Sequence, residues 1–354
     1  MPAQFDKVLI FNSAFPGDII LTTPLIRAAY ESFPGAGLAF CTTEAGASLL
    51  AGLSYLDQLI VYDKHGRDRG TWGMLKTASR LRWEGFDLVL AAHRSTRTAL
   101  LLTLAGIPVR VGFDRSSASR LYTHLAARKP EAHETERNLN LLSPLGIKVE
   151  GLSRKPLLPV TGEESNHVFG RLGVGFPQGA GPLVIVAPGS VWATKQWLAE
   201  RFIDLIEWLA SAHQARVIMV GSPLDRMQAD KVAAGCKAEV LDLVGMTDLR
   251  GLAALIRQAD LVVTGDSTPM HIAWAMDVPT VAIFGATTPE LGFAPLSQTC
   301  RVVELKGLDC RPCSEHGPKR CSLGHFRCMR GITVDMVIAA CEEMMGVKRI
   351  GNAR

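Results

Sequence analysis

The chain has 354 residues, of which 47% are hydrophobic and 20% are charged, and its formal net charge is +4. This length exceeds that of most single domains and provides apolar residues for two buried cores, so two domains are expected. The mild charge gives no indication of nucleic-acid binding and would suit an anionic substrate or a membrane surface. No apolar run reaches the roughly 18 residues of a membrane-spanning helix, and the start MPAQFDKVLIF lacks the regions of a secretory signal, which predicts a cytoplasmic protein.

Short apolar runs alternate with segments of helical period through the first part of the chain. Five runs are typical of strands: KVLIF (7–11), LAFCT (38–42), QLIVY (58–62), DLVLAA (87–92) and RVGF (110–113). The alternation predicts crossover connections and a parallel sheet. Residues 114–180 are polar and basic, and we expect the domain junction in this stretch.

A second series of strands follows the junction: LVIVA (183–187), VIMVG (217–221), VLDLVG (240–245), LVVTGD (261–266) and TVAIFG (280–285). Two successive doubly wound units predict an α/β protein with two Rossmann-like domains that face each other across a cleft. The expected domains span residues 1–165 and 166–330. The remaining segment, 331–354, contains ITVDMVIAACEEMM and is predicted to form a helix that packs back toward the N-terminal domain.

Two loops that leave strands of the second series have the composition of an anion-binding site. The PGSVWATKQW loop precedes a predicted helix and provides Ser190, Thr194 and Lys195. The GDSTPMH loop begins another helix and provides Asp266, Ser267, Thr268 and His271. Hydroxyls, helix N-terminal amides and an ammonium can hold phosphates there. Each loop alone is equally compatible with an ordinary helix cap, but two on one sheet edge favour a diphosphate.

The chain lacks the common motifs of other nucleotide sites. Neither GxxxxGK[ST] nor GxGxxG follows a candidate strand. No DxD pair occurs either, which disfavours a nucleotide-sugar enzyme that holds its diphosphate through a divalent metal. Positive charge must then come from Lys195, hydroxyls and helix dipoles, as in a metal-independent transferase.

The stretch NSAFPGDIILTTP (12–24) has the layout of a phosphate-binding turn, yet it carries an acid, Asp18. The first turn of a helix favours an ionised carboxylate. If the phosphates bind in the other domain, Asp18 can accept a proton from an attacking hydroxyl. A carboxylate that only caps its helix is the alternative interpretation.

Five stretches spread over nearly the whole chain carry a family resemblance: SAFPGDIILTTPLIRAAYESFPGA, HRSTRTALLLTLAGIPVRVGF, APGSVWATKQW, VTGDSTPMHIAWAMDVPTVAIFGATTPE and CRPCSEHGPKRCSLGHFRCM. Together they resemble the lipopolysaccharide heptosyltransferases. The resemblance implies an inverting GT-B glycosyltransferase that moves a heptose from ADP-heptose to the inner core, Kdo or heptosyl-Kdo lipid A, with no cofactor required for transfer. A related enzyme with another nucleotide sugar or acceptor, or a metal or redox module built on cysteines, are the alternatives.

The resemblance also implies roles for individual residues. Asp18 is similar to the family's general base and Lys195 to the lysine at the departing diphosphate, while the GDSTPMH residues match the nucleotide-sugar loop. Asp225, in GSPLDR, is similar in position to an acid that binds the nucleotide ribose.

An acceptor that bears acidic sugars and phosphates should meet basic residues in the N-terminal domain. The residues that follow the DLVLAA strand are candidates: His93, Arg94 and Arg97. Solvated arginines at a helix start are the alternative. The acceptor's lipid implies peripheral membrane contact, although the sequence has no strongly amphipathic basic helix that would establish it.

Four of the eight cysteines lie within nineteen residues: Cys310, Cys313, Cys321 and Cys328. This density resembles a structural zinc or iron knuckle, although the gaps match no common zinc-ribbon spacing. Reduced structural thiols or a conditional disulfide are the alternatives to bound metal.

Overall fold

A computed structural model describes residues 4–347, and the chain divides between Pro159 and Val160 into two compact units. Within the described residues no helix is long and apolar enough to cross a membrane. Each unit contains one parallel sheet with helices in the crossovers between strands.

The N-terminal unit has six strands and six α-helices within the described residues. Its strands are β1 (Lys7–Phe11), β2 (Gly37–Thr42), β3 (Gln58–Val61), β4 (Leu88–Ala91), β5 (Val109–Phe113) and β6 (His124–Ala126). Its helices are α1 (Pro16–Ile20), α2 (Thr23–Ser32), α3 (Glu44–Leu50), α4 (Gly70–Glu84), α5 (Thr96–Leu104) and α6 (Glu134–Leu139). The sheet order is β3-β2-β1-β4-β5-β6. The central strands are apolar because both of their faces are covered by helices.

The C-terminal unit repeats this organisation in its described part. Its strands are β7 (Leu183–Ala187), β8 (Arg216–Met219), β9 (Val240–Asp242), β10 (Leu261–Gly265), β11 (Thr280–Phe284) and β12 (Cys300–Glu304). Its helices are α7 (Gly162–Arg171), α8 (Ala199–His213), α9 (Arg226–Gly235), α10 (Leu249–Gln258), α11 (Thr268–Ala275), α12 (Arg327–Arg330) and α13 (Val334–Met345). The sheet order is β12-β11-β10-β7-β8-β9.

The two sheets have the same topology, in which the first strand lies between the second and the fourth. β1 pairs in parallel with β2 and β4, and β7 pairs in parallel with β8 and β10. The chain therefore turns to opposite sides of the sheet after these strands, which leaves a crevice at their carboxyl ends. The loops after β1 and β4, and after β7 and β10, lie at these crevices.

The ten predicted strands and the two Rossmann-like units are confirmed, whereas two edge strands were not predicted. β6 has three residues in a polar, basic stretch, and two of the five residues of β12 are charged, Arg301 and Glu304. Neither forms a run of apolar residues, because an edge strand is only partly covered. Their pairing is determined by the neighbouring strands β5 and β11.

The expected domain boundary at residue 165 falls inside helix α7 and is corrected to residue 159. Val168 and Phe169 of α7 are buried, and the helix packs on α10. The Arg250 guanidinium contacts both carboxylate oxygens of Glu164, at 2.6 and 3.1 Å. These contacts make α7 the first helix of the C-terminal unit.

The closing helix is present as α13, but it belongs to the core of the C-terminal unit. It packs against β11, β12 and α8, and it buries Val337, Ala340, Cys341 and Met344. The prediction of a separate segment, 331–354, is therefore wrong for residues 331–347, which belong to the C-terminal unit. Residues 348–354 lie outside the described part of the chain.

Glu164 gives a pH-dependent test of how α7 is held. The hydrogen bonds from Arg250 lower the pKa of Glu164 to about 2 from an ordinary value of 4.5. Because the folded-state pKa is depressed, the stabilisation is fully present above pH 4.5 and is lost as the pH falls toward 2. We expect Glu164→Gln to lower the free energy of unfolding by about 1 kcal/mol at pH 7.

Urea unfolding of wild type and variant at pH 7 and pH 3.5 measures this difference, which should be smaller at pH 3.5. Glu163→Gln is the matched control, since Glu163 is an exposed acid on the same helix. Equal effects of the two substitutions would contradict the role of the ion pair.

Candidate active site

The loop after β7 is pressed against the ends of the neighbouring strands. It contains a 3-10 turn, Ala193–Lys195. A Cβ at Gly265, the last residue of β10, would lie 3.0 Å from the Lys195 carbonyl oxygen. The amide of Ala286, after β11, donates to the Thr194 carbonyl at 3.3 Å. The turn therefore lies across the carboxyl ends of β10 and β11, at the crevice of the C-terminal sheet.

Lys195 and Asp266 form a buried ion pair in this crevice. Lys195 Nζ donates to Asp266 Oδ2 at 2.6 Å, and the side chains are 10% and 8% exposed. The Thr287 hydroxyl donates to the same oxygen at 2.8 Å. Asp266 is thus the counter-ion of Lys195, and the alternative interpretation of a simple helix cap is wrong because the N-cap of the following helix is Ser267. An ammonium has three donors, so the pair fixes Lys195 and leaves it able to bind an anion.

Helix α11 begins beside this ion pair. Its N-cap is Ser267, Thr268 is its first residue, and a proline occupies one of its first two positions. Ser267 Oγ lies 3.1 Å from the Thr264 hydroxyl, and His271 is buried one turn into the helix. The amides of a first helical turn point out of the helix and carry partial positive charge. The predicted GDSTPMH residues are therefore brought together with Lys195.

Two further predicted donor-site residues, Thr194 and Ser190, make contacts within the protein. The Thr194 hydroxyl donates its proton to the Pro318 carbonyl oxygen at 2.5 Å. The sequence predicts that this hydroxyl donates to a phosphate, but in the structure its proton is already used. Ser190 Oγ accepts a hydrogen bond from the Trp192 amide at 3.2 Å. Both residues shape the loop around Lys195.

Asp225 lies at the neighbouring edge of the same crevice. Its Oδ2 accepts hydrogen bonds from the Ser222 amide at 2.8 Å and the Ser222 hydroxyl at 2.7 Å. A Cβ at Gly189 would lie 2.1 Å from Asp225 Cγ, so only glycine fits there. The carboxylate is thus held against the loop after β7 and is partly engaged in capping its own turn.

In the N-terminal unit, Asp18 occupies the first turn of α1, as predicted, and is half-buried. Its carbonyl oxygen accepts hydrogen bonds from the Thr22 hydroxyl at 2.8 Å and from the side-chain Nδ2 of Asn12 at 3.4 Å. Asn12 also donates to the Thr22 hydroxyl at 2.8 Å. This network fixes the backbone from which the Asp18 carboxylate projects.

Lys64 is a further residue of this crevice that sequence reasoning did not identify. Its Nζ donates to the Ser13 carbonyl at 2.6 Å. Burial and the nearby Arg97 lower the pKa of Lys64, while attraction to Asp18 opposes this shift. The basic loop DKHGRDRG after the third predicted strand was the available signal, because it leaves the same edge of the sheet as Asp18.

The structure corrects two of the three expected acceptor cations. His93 Nδ1 lies 2.8 Å from the Thr98 hydroxyl and 3.3 Å from Ser13 Oγ. Burial, with repulsion from Lys64 and Arg94, lowers the pKa of His93 to about 4, so its imidazole is neutral at pH 7. His93 therefore brings hydrogen-bonding capacity to this edge, but no positive charge.

Arg97 is likewise engaged inside the unit. Its Nε donates to the Tyr62 hydroxyl at 2.5 Å, and one terminal nitrogen donates to the Asp68 and Gly70 carbonyls at 3.0 and 2.8 Å. It fixes the start of α4 and is not an open ligand for an anion. Arg94 is half-buried at the same edge.

The four clustered cysteines do not form the expected metal site. Among the described residues, no three cysteine, histidine or acidic side chains are arranged to hold a metal ion. Cys313 Sγ donates to the Cys310 carbonyl at 3.2 Å. Burial raises the pKa of Cys313 and Cys328, whereas backbone hydrogen bonds lower that of Cys321. Cys310, Cys321 and Cys328 lie close enough to Cys313 to raise the pKa of its thiol further.

The cysteine-rich segment instead covers the Lys195 turn. A Cβ at Gly317 would lie 3.2 Å from Lys195 Cε, and the Cys313 amide donates to the Ala286 carbonyl at 2.8 Å. Arg311 donates to the Thr287 carbonyl at 2.7 Å and pairs with Glu304 at 3.0 Å. The segment therefore helps to exclude water from the ion pair of Lys195.

A cavity of about 360 Å³ in the N-terminal unit also escaped sequence reasoning. It lies between α6 and residues 149–154, and its basic lining residues include Lys129, Arg137 and Arg154. Arg137 pairs with Glu134, and Arg154 pairs with Glu136. Most of its positive charge is therefore neutralised within the protein.

A protein-family model and a curated relative both identify the chain as similar to heptosyltransferases. Residues 74–323 match the model of glycosyltransferase family 9 (heptosyltransferase). The chain is 26% identical over 326 residues to lipopolysaccharide heptosyltransferase 1 of Pseudomonas aeruginosa, covering 87% of this chain and 86% of that protein.

Two solved structures have the same fold. The family 9 glycosyl transferase of Veillonella parvula superposes with a TM-score of 0.85 at 22% identity, covering 98% of both chains. The ADP-heptose lps heptosyltransferase II of Escherichia coli gives a TM-score of 0.79 at 23% identity, covering 96% of this chain and 98% of the other.

The buried pair predicts that Lys195 contributes to stability. Lys195→Met leaves Asp266 charged, buried and without its counter-ion, so we expect the free energy of unfolding to fall by about 3 kcal/mol. Adding Asp266→Asn removes that charge and should recover most of the loss. Urea unfolding measures both effects, with Lys231→Met at an exposed lysine as the control. An unchanged midpoint for Lys195→Met would exclude a buried pair.

Proposed function

The chain belongs to glycosyltransferase family 9 (heptosyltransferase), and on this premise we propose that it transfers a heptose from ADP-heptose to the inner core of lipopolysaccharide. The acceptor is Kdo-lipid A or its heptosylated form, and the anomeric configuration is inverted. The observation that carries the proposal is the buried Lys195–Asp266 pair beside the start of α11.

We assign the diphosphate of the donor to this crevice of the C-terminal unit. Two donors of the Lys195 ammonium remain after its hydrogen bond to Asp266, and the first-turn amides of α11 add partial positive charge. Because the cation is buried and already oriented, little reorganisation is needed when charge develops on the departing ADP. The Ser267 and Thr268 hydroxyls complete the proposed phosphate site, and His271 lies one turn further along the same helix.

Asp225 is the proposed ligand of the nucleotide ribose. Its carboxylate lies against Gly189 and Gly221 at the carboxyl ends of two adjacent strands. One of its oxygens caps the Ser222 turn, and this fixes the direction in which the carboxylate projects. A fixed carboxylate can accept hydrogen bonds from the two ribose hydroxyls.

Asp18 is the proposed general base. It takes the proton of the acceptor hydroxyl as that oxygen attacks the anomeric carbon on the face opposite the diphosphate. The Lys64 ammonium attracts the Asp18 carboxylate, and the hydrogen bonds to the Asp18 carbonyl oxygen hold the residue in position. The C–O bond to ADP breaks as the new glycosidic bond forms, so no covalent enzyme intermediate arises.

Members of this family need no cofactor for transfer, and Lys195 with the α11 amides supplies the charge that a divalent metal would otherwise provide. In the described part of the chain, the cysteine segment has no three side chains arranged to hold a metal ion. We assign this segment the role of covering Lys195.

For the anionic acceptor, the cations that we propose are Lys64 and Arg94. His93 is held neutral and Arg97 is engaged with backbone carbonyls. His93 can still exchange hydrogen bonds with a sugar hydroxyl at this edge.

A donor-dependent assay tests the proposed reaction. Purified protein is incubated with ADP-heptose and either Kdo-lipid A or its heptosylated form, and mass spectrometry follows addition of one heptose. Transfer to one of these acceptors with release of ADP is the expected result. Transfer from another nucleotide sugar, with none from ADP-heptose, would overturn the proposed donor.

Replacing the proposed base tests the mechanism. Asp18→Asn removes the proton acceptor without changing size, so we expect kcat to fall by roughly 10²- to 10⁴-fold while the Kd for ADP stays nearly unchanged. Glu44→Gln is the control, because Glu44 is an exposed first-turn acid on the helix after the next strand of the same sheet. Steady-state kinetics and calorimetric ADP binding measure both quantities. Near-normal turnover of Asp18→Asn would reject Asp18 as the base.

A further inference from the structure

Helix α4 carries an exposed aromatic surface that the proposed chemistry does not use. Trp72 is 82% exposed and Trp83 is 89% exposed. Exposing an indole to water is unfavourable, and two on one helix require an explanation.

The two tryptophans lie on the same face of α4, opposite its buried face. At about 100° per residue, eleven positions bring Trp83 to within roughly 20° of Trp72, about 16 Å further along the axis. The buried residues of the helix fall on the other side: Gly73, Thr77, Ala78 and Leu81. The tryptophans therefore project away from the body of the N-terminal unit.

Basic residues flank these tryptophans. The exposed cations of α4 and the turn before it are Arg67, Arg69, Lys76, Arg80 and Arg82. Between residues 64 and 83 the sequence has a single acid, Asp68, which is buried. On the helical wheel, Lys76 and Arg80 lie on one side of the tryptophans and Arg82 on the other. We call these two tryptophans and five cations the α4 face.

This combination has the chemistry of a membrane interface. Indole rings prefer the headgroup level of a bilayer, and lysines and arginines are attracted to anionic lipids. The charge is of one sign, which complements an anionic surface and would repel a second copy of the same face.

We propose that the α4 face docks the protein peripherally on an anionic phospholipid membrane. The docking is independent of sugar transfer; only the conclusion that it brings a lipid-linked acceptor to Asp18 rests on the proposed function.

The start of α4 is rigidly connected to the crevice of the N-terminal unit. Arg97 donates to the Asp68 and Gly70 carbonyls, and a Cβ at Gly73 would lie 2.1 Å from the Asp68 carbonyl carbon. The same turn leads back to Lys64, which donates to the Ser13 carbonyl beside α1. A membrane bound at the α4 face is thus held at a fixed position relative to Asp18.

Cosedimentation of the full chain with vesicles tests the proposal, without donor or acceptor. Vesicles of phosphatidylglycerol mixed with phosphatidylcholine are compared with phosphatidylcholine alone. We expect binding to the anionic vesicles that weakens with added salt. Lys76→Glu with Arg80→Glu should weaken it by about 30-fold or more, and Trp72→Ser with Trp83→Ser by about 10-fold.

Arg171→Glu with Lys231→Glu is the matched control, because it changes the net charge equally at exposed positions of the C-terminal unit. It should retain nearly wild-type binding. Circular dichroism checks that each variant is folded. We expect all of them to fold, because the substituted side chains are exposed.

Three results would overturn the proposal. If the wild-type protein does not sediment with anionic vesicles, the α4 face is not a membrane-docking surface. If the α4 charge variant and the control charge variant lose vesicle binding equally, the protein is attracted by its net charge alone. Conversion of a dimer to a monomer by the tryptophan substitutions, seen by sedimentation equilibrium, means that a second copy covers the face. Failure of vesicle binding leaves heptosyl transfer in solution unaffected, so the two proposals fail separately.

Discussion

The parallel pairing of β7 with β10 is the constraint on which the donor crevice depends. Val186 is paired with Val263 and Ala187 with Thr264, so both strands end at one edge of the sheet. An antiparallel pairing would have sent the following loops to opposite ends. Lys195 therefore reaches an acid 71 positions later in the chain, and their ion pair forms where the topology already provides a crevice.

The same topology in the N-terminal unit carries different chemistry. Where the C-terminal unit has a buried lysine held by an aspartate, the N-terminal unit has an aspartate, Asp18, that interacts with a half-buried lysine, Lys64. The first arrangement suits binding of an anion and the second suits acceptance of a proton. In the proposed reaction, the two copies of one topology take different roles, and the difference lies in a few loop residues.

The predicted site residues lie in loops at the carboxyl ends of the strands, as the sequence indicates, but several of their contacts differ from those expected. His93 and Arg97 were read as cations for an acceptor because of their residue types. The neutral state of His93 depends on its burial and on Lys64, and the contacts of Arg97 depend on Tyr62 and on backbone carbonyls far away in the sequence. The cysteine cluster illustrates the same limit, because spacing along the chain does not fix whether nearby thiols have the arrangement that a metal ion requires.

The sequence by itself determined the order of strands and helices, since apolar runs and helix starts are local signals that need no knowledge of neighbours. It also located Asp18, Lys195 and the α11 loop, because parallel strands fix the edge at which such loops emerge. Only the tertiary structure decided the counter-ion of Lys195, the neutral state of His93 and the exposure of Trp72 and Trp83. Each depends on burial and on partners brought together by folding, and a linear sequence does not specify these distances.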